Sequence, residues 1–169
     1  MRKFIFQREP KITSKIGEFQ SDVETILIPE VYLKNLTKEE RKILPKKIRS
    51  LVGKYSTYIS SMRRLNSKAG KRKYQRDVGK LRRVNVRMKT RDWLLLGVLA
   101  EAHGVSRCFL VNFLLYLESS EVGDSLRKFW VGPPTPPRVY SFIWQIEPTQ
   151  RRVSRTLRLE PNPLKIPTS

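Results

Sequence analysis

Cysteine and histidine are almost absent from this sequence, which has one residue of each, Cys108 and His103. A single cysteine cannot form an internal disulfide, and the two residues together cannot supply a Cys/His zinc site or a Cys-x-x-Cys redox pair. A lone histidine without such partners is typical of a helix end rather than of a metal site. We therefore expect no metal and no cofactor.

The patterns of known catalytic sites are missing as well. The 15 acidic residues form no His-adjacent set and no Asp-x-Asp cluster, and the chain has neither a Gly-rich phosphate loop nor a Gly-x-Ser-x-Gly elbow. No run approaches the ~18 apolar residues of a membrane span, and the N-terminal apolar run is too short for a signal peptide. These absences predict a cytoplasmic protein without catalytic residues and without a membrane partner.

Positive charge is what the sequence has in excess. Lys and Arg number 35 against 15 Asp and Glu, a formal net charge of +20, and residues 34–91 alone hold 21 basic and three acidic side chains. Such a block predicts a polyanionic partner, with nucleic acid favoured over an anionic membrane surface. Lys71, Arg72 and Lys73 are candidate phosphate contacts within it, although a solvated helix face would also explain this charge density.

Helix-capping residues, prolines and changes in the apolar pattern divide the chain into four segments. A capping box at Thr37 and a helix-starting Pro45 favour short helices in a basic helical region, residues 1–80, whose final polar stretch would be a solvated helix or a flexible arm. Residues 131–137 contain four prolines and predict a stiff linker. Alternation in residues 138–169 predicts a β-hairpin followed by a loose tail, with a possible protein partner for the aromatic face of the hairpin.

The remaining segment, residues 81–130, has the most informative pattern. It begins with an expected strand that has one apolar and one polar face. The apolar positions are Val84, Val86 and Met88, and the polar positions are Arg83, Asn85, Arg87 and Lys89. Two helices are predicted to follow, capped by Thr90 and Ser106 and separated by a left-handed turn at Gly104.

Four features of this segment resemble the ribbon-helix-helix family of DNA-binding proteins. They are the alternating strand, the Leu99-Ala100 pair, the Gly104-Val105-Ser106-Arg107 turn and the helix that closes on Leu114 to Leu117. The resemblance implies that two chains pair their strands into a ribbon that enters the major groove, and that the helices interlock as an obligate homodimer.

The resemblance also implies roles for individual residues. Base contacts come from the strand positions Arg83, Asn85 and Arg87. Phosphate contacts come from Ser106, Arg107 and Cys108 at the start of the second helix, to which the basic residues Lys89, Lys71, Arg72 and Lys73 are added. The core of the dimer comprises Val84, Val86, Leu99, Phe113, Leu114 and Leu117.

The chemistry of these residue types agrees with the implied roles. Arginine pairs with guanine O6 and N7, asparagine pairs with adenine N6 and N7, and a helix N-terminus offers N–H donors to a phosphate. We therefore expect a mainly α fold with minor β, comprising a ribbon-helix-helix-like module, N-terminal helices and a C-terminal β-hairpin. The expected function is sequence-specific binding of duplex DNA by a homodimeric transcriptional regulator.

Several alternatives remain open. The same residues resemble a helix-turn-helix, in which Asn112 would carry the specificity, and they also suit a helical core with no nucleic-acid role. The protein could instead be an antitoxin-like interaction protein or a structured-RNA binder that uses its Lys/Arg block. The whole chain, including the Pro-rich joint and the hairpin, also resembles an uncharacterised spirochaete family that is a domain of unknown function.

Overall fold

The computed structural model describes residues 11–121 and 137–162. Its elements in chain order are β1 (Ser21–Pro29), α1 (Glu30–Lys34), α2 (Lys38–Ser61), β2 (Leu81–Lys89), α3 (Thr90–His103), α4 (Arg107–Ser119), β3 (Val139–Glu147) and β4 (Arg152–Glu160). Helices hold 41% and strands 28% of the described residues. The predicted mainly α fold with minor β is therefore wrong, and these residues form an α/β fold with two antiparallel two-stranded sheets.

The first sheet is a ribbon that β1 and β2 form within the same chain. Its antiparallel register places Thr25 opposite Asn85 at the centre. Alternate side chains of a strand lie on opposite faces, so each strand contributes to one buried and one exposed face. The buried face consists of Ile26, Ile28, Val86 and Met88, all of which lie in the core.

This register corrects the predicted pairing between two chains, because β1 occupies the place that a second chain was expected to fill. The residues predicted as the dimer core are covered within one chain instead. Val86, Leu99, Leu114 and Leu117 are buried, and Val84 and Phe113 pack partly buried against them. The apolar surface that led us to expect a homodimer is thus covered within one chain. No ribbon-helix-helix module is shown.

The ribbon joins two strand–helix–helix halves of the chain. Each half has a nine-residue strand followed by two helices, β1–α1–α2 in the first and β2–α3–α4 in the second. The helix α2 packs on β2, and α4 packs on β1, so each half covers the strand of the other. Because the register is symmetric about the Thr25–Asn85 pair, an approximate two-fold axis passes through that pair.

The long helix α2 is continuous, although the sequence predicted a break at Pro45. The predicted capping box is confirmed: the Glu40 N–H donates to Thr37 Oγ1 at 3.2 Å, and the Thr37 N–H donates to the Glu40 carboxylate at 2.7 Å. Proline removes one helical N–H. Leu44 and Ile48 on either side of it are buried in the core, and their packing holds the helix together across this position.

The predicted turn between α3 and α4 is confirmed. Gly104 has a φ of 66°, and Ser106 Oγ accepts the Phe109 N–H at 3.1 Å. A positive φ there suits glycine because it has no Cβ to clash with the backbone. The predicted cap at Thr90 is not found, because α3 begins at Thr90 and its hydroxyl donates to the Asp22 carboxylate at 3.4 Å instead.

A single core runs through both halves and reaches the second sheet. The Lys54 Nζ and the Tyr55 hydroxyl both donate to Glu118 Oε2 at 2.6 Å, which joins α2 to α4. The predicted hairpin is confirmed as β3 and β4, and its Tyr140 and Leu157 pack against the core.

Two predicted segments fall on residues that the structure does not describe. These are most of the Pro-rich linker, residues 131–136, and most of the tail, residues 163–169. Within the described part of the chain, no helix has both the length and the apolar character needed to cross a membrane.

The two faces of the ribbon predict unequal losses of stability for the same valine-to-alanine change. Val86 is fully buried and Val23 is 56% exposed. Val86→Ala should lower the free energy of unfolding by about 2 kcal/mol, because it leaves a cavity in the core. Val23→Ala should change it by less than about 0.5 kcal/mol. Urea denaturation measures both, and equal losses would contradict the assigned faces.

Candidate nucleic-acid interface

The exposed face of the ribbon carries the predicted base-contacting residues. Arg83, Asn85 and Arg87 all occupy this face of β2, with Lys89 at its end, and all four side chains are exposed. Their partners across the ribbon are Leu27, Thr25, Val23 and Ser21. One strand therefore presents cations and an amide, and the other presents mainly small or apolar side chains.

The central pair fixes the orientation of the Asn85 amide. The Thr25 hydroxyl donates to Asn85 Oδ1 at 3.1 Å. An amide oxygen has two lone pairs, so Oδ1 can accept a second donor, and the NH₂ group of the exposed Asn85 can donate to a partner. This is the donor and acceptor set that matches the major-groove edge of adenine.

The arginines on β2 differ in whether they pair with a carboxylate of the fold. Arg82 donates to Glu30 Oε1 at 3.0 Å, and this hydrogen bond holds the pKa of the Glu30 carboxyl below its ordinary value. Arg83 and Arg87 form no ion pair within the described residues. Their guanidinium groups are therefore free to meet an anion or a base edge.

The residues predicted to hold a phosphate at the start of α4 are brought to one end of the ribbon, but several of their groups are already used. The Ser106 N–H donates to the Lys73 carbonyl at 3.0 Å, so it is not free for a phosphate. Cys108 Sγ accepts the Leu27 N–H at 3.5 Å. The Arg107 guanidinium lies over the indole of Trp93, at 4.7 Å from the ring centroid.

Residues 66–80 are neither the helix nor the detached arm that their polarity favoured. They form an irregular loop that is hydrogen-bonded to the α3–α4 turn. The Asn66 side-chain amide donates to the carbonyls of Lys71 and Gly104, at 2.6 and 2.9 Å, and the Lys73 N–H donates to the Gly104 carbonyl at 2.8 Å.

The three phosphate contacts predicted in this loop have unequal surroundings. Arg72 is paired with Glu101, which raises the pKa of the guanidinium, and Lys73 Nζ lies 5.4 Å from the ring centroid of Phe109. Lys71 has no ion pair in the described part of the chain. The loop surrounds a cavity of about 520 Å³, and half of the residues that line it are basic, with Tyr74 beside them.

His103 holds the start of this loop. It is fully buried, its Nδ1 accepts the Leu65 N–H at 3.2 Å, and its Nε2 lies 2.8 Å from the Ile59 carbonyl. These partners fit a neutral imidazole that carries its proton on Nε2. Burial lowers the pKa of His103 to about 4. The side chain thus joins the end of α2 to the end of α3.

Asn112 was the specificity residue of the helix-turn-helix alternative. Its side-chain amide donates to the Leu27 carbonyl of β1 and to the Cys108 carbonyl, both at 2.7 Å. An asparagine used in this way fastens α4 to the ribbon. The Asn112 amide is therefore already used within the fold, which removes the specificity residue of the helix-turn-helix alternative.

Two basic residues that the sequence did not single out lie at the other end of the ribbon. Lys46 and Arg49 of α2 approach Arg87 and Lys89 of β2 and line a cavity of about 450 Å³ with them. Their spacing of three places both on one helix face. That periodicity was available in the sequence, but the packing of α2 on β2 was not.

The comparisons with known proteins identify a family without an assigned activity. The model of a family described as Protein of unknown function (DUF1564) matches residues 1–165. No curated protein and no solved structure matches the chain significantly.

The neutral, buried His103 predicts a pH dependence of stability. A histidine with a folded pKa near 4 and an unfolded pKa near 6.5 stabilises the fold fully above pH 6.5. This contribution, about 3 kcal/mol at most, is lost progressively as the pH falls from 6.5 to 4. The stability difference between the parent and His103→Gln should therefore shrink between pH 7 and 4. A constant difference in urea denaturation over this range would disprove the assignment.

Proposed function

Because the chain belongs to the family of unknown function DUF1564, we propose its function from its geometry: it binds duplex DNA and reads base edges with the exposed face of the β1–β2 ribbon. The observation that carries the proposal is that Arg83, Asn85 and Arg87 stand side by side on this face while its opposite face belongs to the core. A protein with a preferred duplex sequence is suited to transcriptional regulation, which we include in the proposal.

The spacing of the three side chains supports contacts with every second base pair. Residues two apart on a strand lie about 6.6 Å from each other, which is close to two base-pair steps of about 3.4 Å each. A two-stranded ribbon fits the major groove of B-form DNA. The major groove of A-form RNA is too narrow for side chains to read, so the ribbon favours duplex DNA over structured RNA.

The charge distribution supports the same partner. The net charge of +20 is concentrated in the residues that form α2, the 66–80 loop and β2. Lysine and arginine side chains along a ribbon bind phosphates and release counterions, which supplies most of the non-specific affinity for DNA. Base contacts then set the sequence preference.

The strand residues provide the sharpest test. Asn85→Ala and Arg87→Ala should each weaken binding to a preferred duplex by about 1 to 3 kcal/mol and relax its sequence preference. Arg158→Ala removes the same charge from an exposed position of β4 and serves as the control. Fluorescence anisotropy with a duplex selected from a random pool measures all three. Parent-like affinity and preference in both strand variants would refute base contact by the ribbon.

The intrachain ribbon also predicts the form of the complex. Its two strands present different side chains, so one chain should bind one site without palindromic symmetry. If that chain neutralises about four phosphates, the log–log salt dependence of binding has a slope near −3.6. Sedimentation velocity of the complex gives the stoichiometry. Two chains on a palindromic site would contradict this prediction.

A further inference from the structure

The basic cavity between α2 and β2 brings together cations that the fold leaves without partners. Lys46, Arg49, Arg87 and Lys89 form no ion pair and no side-chain hydrogen bond with any other described residue. Asp92 is the one acidic residue among those that line the cavity, and its Oδ1 lies 3.4 Å from Arg91 Nε. Four cations that face one space repel each other, and a bound anion offsets that repulsion.

The cavity adjoins the exposed face of the ribbon, which carries Arg83, Asn85 and Arg87 and is called the reading face below. Arg87 belongs to both, because it stands on the exposed face of the ribbon and lines the cavity. The approximate two-fold axis through the Thr25–Asn85 pair places this end of the ribbon opposite the end where α4 begins. Backbone phosphates border the major groove on both sides, so basic residues beside a ribbon in the groove can face a phosphate strand.

We propose that this cavity binds a backbone phosphate of the DNA strand that borders the ribbon, and so sets the position of the ribbon along the groove. The inference rests on the proposed function and adds residues from α2 to the interface. An arginine can donate two parallel hydrogen bonds to a phosphate, and a lysine adds a mobile point charge. The cavity offers two residues of each kind around one space.

The roles of the two sets of residues differ in a measurable way. Phosphate contacts contribute equally to all sequences, whereas base contacts discriminate between them. Lys46 and Arg49 should therefore affect the affinity for every duplex and leave the sequence preference unchanged. Arg87 should affect both, because it lines the cavity and stands on the reading face.

The test compares two double variants of the full chain. Lys46→Gln with Arg49→Gln removes two cavity cations, and Lys38→Gln with Lys42→Gln removes two exposed cations of the same helix that do not line the cavity. Binding to a selected and to a random duplex is measured by anisotropy over a salt series. The cavity variant should bind both duplexes roughly 10- to 100-fold more weakly at 0.1 M salt, with a slope shallower by about 1, because one phosphate contact is lost. The control variant should keep the parent slope.

The outcomes separate this inference from the proposed function. If the cavity variant keeps the parent slope while the parent prefers its selected duplex, the cavity assignment is wrong and DNA binding stands. If the parent binds no duplex, both proposals are wrong. Binding of inorganic phosphate is measured as well. If the parent binds free phosphate, the cavity variant does not, and the duplex slope is the same in both, the cavity binds a free anion and the proposed contact with a DNA phosphate is wrong. Circular dichroism confirms that both variants are folded.

Discussion

The pairing of β1 with β2 is the interaction on which the rest of the structure depends. It closes the apolar face of the ribbon over the core, so that Ile26 and Val86 are buried while Thr25 and Asn85 remain outside. It also brings the two strand–helix–helix halves together, because α2 then covers β2 and α4 covers β1. A strand register slipped by one residue would exchange the two faces and expose the apolar set.

The polar contacts of the protein sort its cations into two groups. Arg82, Arg72 and Lys54 pair with carboxylates that join separate elements, as the contact between Lys54 and Glu118 joins α2 to α4. Arg83 and Arg87 are outside this group and stand on an exposed face. Exposed ion pairs contribute little to stability, so the unpaired cations cost the fold little and remain available to a partner. This division is the electrostatic basis of the proposal that the ribbon binds a nucleic acid.

Local patterns predicted the elements whose causes are local. The alternation around Val86 predicted β2, the glycine at 104 predicted the turn, and the Thr37 capping box predicted the start of α2. The strand β1 was missed because Ile26, Leu27 and Ile28 are consecutive and obscure the two-residue period. The partner of β2 was assigned to a second chain, because pairing between distant segments leaves no local signal. The same limit hid Lys46 and Arg49, which reach the ribbon only through the packing of α2 on β2.

Methylation protection at guanine N7 shows whether the ribbon contacts base edges, because this atom lies in the major groove and is the acceptor that arginine uses there. The duplex is one selected by the parent protein from a random pool. We expect protected guanines in a single stretch of major groove, with individual protections lost in Arg83→Ala or Arg87→Ala. Unprotected guanines throughout a saturated duplex, or protections that survive in both variants, would contradict base contact by the ribbon.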